Sequence, residues 1–243
     1  MMFVTGGKLH LARSFVVPLM LALLLSGCAS DHVTIASNSA GAPAPLEQVN
    51  RKVFEFNEKL DQSITDPLVT SYVQNVPQDV RTVARNFITN LGEPLHATNH
   101  LLQGDIELSA KTTMRFALNS TIGMGGLFDW ASTVGLPSLP ADFDQTLGRW
   151  GLPPGEYLVA PVLGPTTVRK IFGDVAERFV DPLNLIPELD RGSAVAGRAV
   201  AGGMTKRIDV HEDLKALRED SFDMYARMKS LYMQKATGAA EPE

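Results

Sequence analysis

From Leu46 to Lys235 apolar residues recur every three or four positions, interrupted by prolines and glycines. That period marks amphipathic helices. The stretch "LEQVNRKVFEFNEKLD" sets Leu46, Val49, Val53, Phe56 and Leu60 on one face, and Asp66-Pro67 is expected to break it. "PQDVRTVARNFITNL" opens with Pro77 as a first-turn residue and aligns Val80, Val83, Ala84, Phe87 and Leu91. A separate short helix is expected in "GEPLHATNHLLQG", bounded by Gly92-Glu93-Pro94 and Gly104. "DIELSAKTTMRFALNS" starts on Asp105 as N-cap, with Ile106, Ala110, Thr113 and Ala117 in line. Residues 123–164 are rich in Gly and Pro and read as short helices and loops. "PTTVRKIFGDVAERFV" resumes a helix with Pro165 at its start. The last helix, opened by His211 beside Glu212 and Asp213, carries one continuous stripe of Leu214, Leu217, Ser221, Met224, Tyr225, Met228, Leu231 and Tyr232. No strand is expected beyond "EYLVAPVL". The fold class is all-α, and the tail from residue 236 to 243 reads as disordered.

The N-terminus follows a different pattern. Lys8 and Arg13 precede an apolar run, Phe15 to Gly27, that is too short to span a bilayer and suits a signal peptide. It ends in Leu25-Ser26-Gly27-Cys28, which resembles the lipobox of bacterial lipoproteins, where cleavage leaves an acylated cysteine as the first residue. Cys28 is the single cysteine of the 243 residues, so an exported chain would hold no disulfide. Acyl chains contribute about 0.8 kcal/mol per buried CH₂, and several anchor far more firmly than one. Ala29 stands where inner-membrane lipoproteins of enteric bacteria carry Asp, which implies the inner leaflet of the outer membrane. Residues 28–45 then form a small, polar, proline-bearing tether with a reach on the order of 20 Å.

Charge narrows the functions. The chain has 22 basic and 27 acidic residues, and beyond the signal segment 20 basic residues face 27 acidic ones. An acidic body is not a nucleic-acid binder and is not drawn to anionic headgroups by net charge. Catalytic constellations are lacking too. Ser193 in "RGSAVAG" lacks the glycine two positions ahead that a nucleophile elbow needs, and no strand is expected before it. His96 and His100 stand four apart and could share one ion with Glu93. Ala97 fills the place of a metalloprotease glutamate, and the pair reads more simply as partly exposed polar positions. Asp142 and Asp144, two apart, would not face each other on a helix. No cofactor is expected.

The segment "NSTIGMGGLFDWASTVGLP", from Asn119 to Pro137, is the least ordinary. Gly123, Gly125 and Gly126 sit among Ile122, Met124, Leu127, Phe128 and Trp130. It lacks the strand and the Lys-Ser/Thr of a phosphate loop. The glycines could let a helix or a lipid come close, or could form an ordinary turn in a core. Asp129 is costly in hydrocarbon, so it is expected to face a passage or to pair with an arginine such as Arg115.

Five stretches together resemble the VacJ/MlaA lipoproteins: "EQVNRKVFEFNEKLD", "NFITNLGEPLHATNHLLQGD", "RFALNSTIGMGGLFDWASTVGL", "DFDQTLGRWGLPPGEYLVAPVLGP" and "DSFDMYARMKSLYMQK". The likeness spans residues 46–235, and the motif residues Asn50, Arg51, Asn90, Glu93, Pro94, Asn119, Gln145, Thr146, Gly164 and Pro165 carry it. The chain departs from the pattern at Ala44-Pro45-Leu46-Glu47 for Asp-Pro-Leu-Glu, at Asp144 for Gly, and at Lys229 for Arg. The last change exchanges a forked guanidinium for a point charge. The resemblance implies a non-catalytic, ring-like helical domain seated in the membrane leaflet beside a trimeric porin. Its cargo would be outer-membrane phospholipid, which passes through an amphipathic channel to a soluble periplasmic carrier. It also implies that Gly123, Gly125, Gly126, Phe128, Asp129 and Trp130 belong to the wall of the passage, and that Phe54, Phe56 and Asn57 lie on a gating helix. Phe54 and Phe56 read equally as core packing, and Gln145, Thr146 and Trp150 as groups that knit loops together. A non-transporting adaptor lipoprotein and a lipid hydrolase are the rival readings.

Overall fold

The computed structural model describes residues 45–182 and 191–238, which form helices and one two-stranded hairpin. The signal segment, Cys28 and most of the tether lie outside the described residues. Helix α1 (Pro45–Leu60) does not stop at Asp66-Pro67. It passes through a π-helical turn, Asp61–Thr65, straight into α2 (Asp66–Asn75). Pro67 thus lies inside a continuous helical run, where its missing N–H removes one backbone hydrogen bond next to the π-helical turn.

Helix α3 (Gln78–Leu102) is one element of 25 residues, not two, with Pro94 inside it. Pro94 removes one rung of the ladder, and the helix continues because α4 (Ile106–Thr121) packs along it on both sides of that point. Asp105 caps α4 as expected, accepting the Leu108 N–H at 2.9 Å. Short helices α5 (Trp130–Thr133) and α6 (Phe143–Arg149) follow, the second opened by a capping box of Asp142 and Gln145.

Strands β1 (Tyr157–Ala160) and β2 (Gly164–Thr167) pair antiparallel, Tyr157 opposite Thr167 and Ala160 opposite Gly164. Pro165 therefore belongs to β2 and does not start a helix. Helix α7 (Val168–Val180) begins after Thr167, whose hydroxyl accepts the Lys170 N–H. The C-terminal stripe is divided between α9 (His211–Asp220) and α10 (Met224–Gly238), preceded by α8 (Arg191–Asp209). Ser221 is extended, and Asp223 caps the next helix by accepting the Ala226 N–H. Helix α10 includes Ala236 to Gly238, which the sequence pattern assigns to a disordered tail. Ala236 is buried, and its carbonyl accepts a hydrogen bond from Arg169.

Among the described residues the hydrophobic core cluster is small, Phe54, Tyr157, Val159 and Tyr225, with edge-to-face rings 5.6–6.0 Å apart. The larger part of the interior is polar. Among the described residues, the largest side chains fully withdrawn from solvent are Arg115, Glu93, Val69, Asn99, Thr112, Thr146 and Thr167, and one of these seven is aliphatic. On α4 the buried residues are Thr112, Arg115 and Asn119, whereas Ile106 of the expected apolar face is 72% exposed. On α7 the buried residues are Arg169 and Gly173, whereas Val168, Ile171, Phe172, Val175 and Phe179 all face outward. Val80 and Phe87 of α3 are exposed too, and Asn90, Glu93 and His100 are buried. The helical periods are those expected, and on these three helices their direction is reversed.

Candidate functional site

The polar interior converges on Arg115, which is 2% exposed. Its Nε donates to Glu93 Oε1 at 3.0 Å, one terminal nitrogen reaches Asp129 Oδ1 at 3.2 Å, and the other donates to Ser132 and to the Leu136 carbonyl. Ser138 donates to the same Glu93 oxygen at 3.2 Å. Two buried charges opposed in this way are tolerated because each also holds hydrogen bonds.

Asp129 thus pairs with Arg115, as its sequence context suggests. Burial alone would raise its carboxyl. Hydrogen bonds from Ser132 and Asn119, with the Arg115 charge, outweigh burial and hold it below the usual carboxylate range. Asp129 also caps α5 through the Ser132 N–H, and Asn119 bridges Asp129 and the Ala131 N–H.

The glycine segment is a turn clasped against α3 and α4. Gly126 N–H donates to Asn119 O at 2.7 Å, Phe128 N–H to Gly123 O at 3.0 Å, and Asn86 to Leu127 O at 3.2 Å. Gly126 has φ +92°, and a β-carbon there would lie 2.6 Å from the Asn90 side chain; one on Gly123 would lie 2.3 Å from Phe128 O. The smallness of these two glycines is therefore used within the protein. Gly125, at φ +76°, has open space around it. Ile122, Met124, Phe128, Trp130 and Val134 all project outward from the same segment.

A second buried pair, Arg169 with Asp144 at 2.7 Å, ties α6, α7 and α10 together, since Arg169 also donates to Leu152 O and Ala236 O. Thr146 is fully enclosed between Asn99 and Gln103, and the Trp150 indole donates to Leu102 O. His96 and His100 are occupied by the carbonyls of Ala141 and Leu139. Among the described residues there is no cluster of His, Cys, Asp and Glu suited to a metal ion.

On α1, Phe54 is in the aromatic cluster and Phe56 is exposed. Asn50 and Asn57 bond the backbone of β1 and the turn after it. Arg51 chelates Asp223 of the α9–α10 corner and stacks on the Tyr225 ring. Lys229 lies 3.5 Å from Glu47. Gly164, with φ +83°, and Pro165 begin β2.

Sequence reasoning missed the roles of Arg169, Arg207 and Arg218. The last two hold Asp61 of the π-helical turn from α8 and α9, at 2.9 and 2.6 Å. A signal for the buried arginines does exist. Thr112, Arg115 and Asn119 repeat at helical spacing, just as the apolar stripes do.

A helical body with a polar interior and apolar helix faces turned outward is the class that the fold defines. A family model described as MlaA lipoprotein matches residues 43–238, and the chain belongs to that family. It is 33% identical over 217 residues, 87% of this chain and 82% of the other, to the intermembrane phospholipid transport system lipoprotein MlaA of Escherichia coli. It is 42% identical over 141 residues to an uncharacterized protein of Rickettsia felis, a match that spans 57% of this chain and 56% of that relative's length. A solved structure described as the structural basis for maintenance of bacterial outer membrane lipid asymmetry is 31% identical, with a TM-score of 0.71. It covers 82% of this chain and 100% of its own.

Proposed function

We propose that the protein moves phospholipid between the membranes of a Gram-negative envelope. It takes phospholipid that has strayed into the outer leaflet of the outer membrane and passes it to a soluble periplasmic carrier, without catalysis. In this reading acylated Cys28 anchors it in the inner leaflet, a trimeric porin stands beside it, and the helices surround an amphipathic passage. The observation that supports this best is the reversed distribution of side chains: ion pairs and amides within, and Ile106, Phe172 and Phe179 without. In water such a distribution is unfavourable, because each exposed phenyl forgoes about 1.5–3 kcal/mol of burial. Against acyl chains the same faces are matched to their surroundings. No described helix is long and apolar enough to cross a bilayer, which suits a body seated in one leaflet.

The exposed apolar rim at Met124, Phe128 and Trp130, backed by Arg115 and Asp129, suits a wall where acyl chains meet a polar route for headgroups. Gly123, Gly125 and Gly126 shape that wall, and Phe54, Phe56 and Asn57 lie on the helix that gates it. The test is outer-leaflet phospholipid in a deletion strain, read by an acyltransferase or phospholipase that reaches surface lipid alone. A rise cured by the wild type but not by Cys28→Ala is expected. No rise would sink the transport reading and favour an adaptor lipoprotein.

A further inference from the structure

A recess of about 340 Å³ opens to solvent between the first turns of α1 and the middle of α10. Glu47 and Arg51 line one side of it, and Tyr225, Lys229, Ser230 and Met233 line the other. Small-ligand clefts have volumes of roughly 300–1,000 Å³, and this recess falls among them.

Its polar groups are not equally committed. Arg51 is fully engaged: its Nε donates to Glu47 Oε1 at 3.2 Å, and its Nη1 reaches both oxygens of Asp223 at 3.0 and 3.3 Å. Its guanidinium also covers the Tyr225 ring, 4.3 Å from the centroid. Asp223 is occupied as well, since it accepts the Ala226 N–H. Lys229 differs. Its ammonium stands 3.5 Å from Glu47 Oε2, long for a charge-assisted hydrogen bond, and its side chain is 40% exposed. Beside it the Ser230 oxygen accepts from Gln234 at 3.0 Å, so the Ser230 O–H remains a donor. The recess therefore offers two neighbouring donors, Lys229 and Ser230, opposite one loosely held carboxylate oxygen.

This arrangement of signs discriminates among phospholipid headgroups. A phosphodiester is matched to Lys229 and Ser230, and a primary ammonium on a short arm is matched to Glu47. Arg51 and Lys229 already balance Glu47 and Asp223, so a zwitterion enters without upsetting the charge. Phosphoglycerol would bring a net negative charge up to Glu47, and that repulsion selects against it. A quaternary ammonium has no N–H for Glu47, and the Tyr225 face it would seek is taken by Arg51. Met233 presents an apolar wall to the glycerol end of the same molecule.

The position also suits a lipid. Glu47 lies about 3 Å of helix beyond Pro45, and the tether from Cys28 reaches on the order of 20 Å. A chain anchored through that cysteine keeps the recess near the headgroup layer in which the anchor sits.

We propose that the recess is a headgroup site for an amine-bearing, zwitterionic phospholipid of the phosphatidylethanolamine class. Lys229 and Ser230 hold its phosphate and Glu47 its ammonium. The choice of a lipid as ligand rests on the phospholipid-transport reading, and the preference among headgroups rests on the recess alone.

The test uses the full-length acylated protein in dodecyl maltoside micelles, with methyl-labelled methionine. The Met233 methyl resonance, assigned through Met233→Leu, is followed as short-chain phosphatidylethanolamine, phosphatidylglycerol, phosphatidylcholine or inorganic phosphate is added. Wild type should bind phosphatidylethanolamine about tenfold tighter than the other two lipids. Glu47→Gln should weaken phosphatidylethanolamine about tenfold and erase the preference, whereas Lys229→Gln should weaken all three lipids alike. Both changes leave the Arg51–Asp223 pair in place, so circular dichroism should not alter. Ser230→Ala, which removes one neutral donor, should cost a few-fold.

Equal affinity for the three lipids would overturn the inference, as would a preference that survives Glu47→Gln. A Met233 shift produced equally well by inorganic phosphate would reduce the recess to an anion site and overturn it too. Selective binding together with no rise of surface phospholipid in the deletion strain would uphold the site and sink the transport reading. The opposite pair of results would keep transport and discard the site.

Discussion

Arg115 shows how much of this protein rests on single buried charges. It sits between α4, which carries it, Glu93 of α3 and Asp129 at the start of α5. Glu93 is fully enclosed, with one oxygen bound by Arg115 and Ser138. Arg115→Met would leave that carboxylate uncompensated, and a cost of about 3–5 kcal/mol is expected in denaturant unfolding of the protein in detergent. A loss of under ~1 kcal/mol would mean that Glu93 finds another partner. The glycine turn provides a sharper contrast. Gly125→Ala meets nothing within 4 Å and bears only the left-handed backbone, about 1–2 kcal/mol. Gly126→Ala adds a contact of 2.6 Å with Asn90, so the melting temperature should fall further for it than for Gly125→Ala. Equal shifts would show that the Asn90 side chain swings away freely.

At the scale of elements, the joint between α1 and α2 is the feature most open to solution conditions. Asp61 of the π-helical turn is held by Arg207 of α8 and Arg218 of α9, and Arg218 also binds Glu58 while Arg207 also binds Asp66. Burial would raise the Asp61 carboxyl, but the hydrogen bonds and charges of the two arginines win and lower it from 3.8. A depressed carboxylate contributes its stability in full above the ordinary value and loses it as pH falls through the depressed one. Hydrogen-exchange protection of residues 61–65 should therefore hold down to about pH 4 and decline below it, and Asp61→Asn should show lower protection at neutral pH and little further acid dependence. Protection that declines between pH 5 and 7 instead would point to a different group. The separation of these partners, Asp61 with Arg207 146 residues away, explains why no local pattern announces the joint.

For the whole molecule, the reversed faces carry the prediction. Helix α7 exposes Ile171, Phe172, Val175 and Phe179 along one side while Arg169 on the other is buried. The Cys28→Ala protein, which lacks the proposed acylation site, should still float with phospholipid vesicles through such faces. Phe172→Asp with Val175→Asp should weaken that flotation by roughly a hundredfold or more, since each change removes about 1.5–3 kcal/mol of apolar transfer and adds a charge. Circular dichroism should stay unchanged, because neither side chain is buried within the protein. Undiminished flotation would place the membrane contact elsewhere, with the segment from Ile122 to Val134 next in line.

The amino-acid order was enough to establish the helical class, the Asp105 cap and the family signature, since each depends on spacing along the chain or on residue types close in sequence. For Asp129 it left two outcomes, facing a passage or pairing with an arginine such as Arg115. It also gave the period of the apolar stripes, although it ran the C-terminal stripe through Ser221, where the chain is extended. It could not say which way they point, because a 3.6-residue repeat looks the same whether the apolar side meets a core or a membrane. That direction came from packing: Glu93, Arg115, Asp144 and Arg169 find partners on other helices, and once their charges turn inward the stripes opposite them must turn out. The continuity of α3 through Pro94, the π-helical joint and the Asn50–Asn57 grip on the hairpin have the same origin. Each is stabilised by groups brought together from distant parts of the chain, where local propensity has no say.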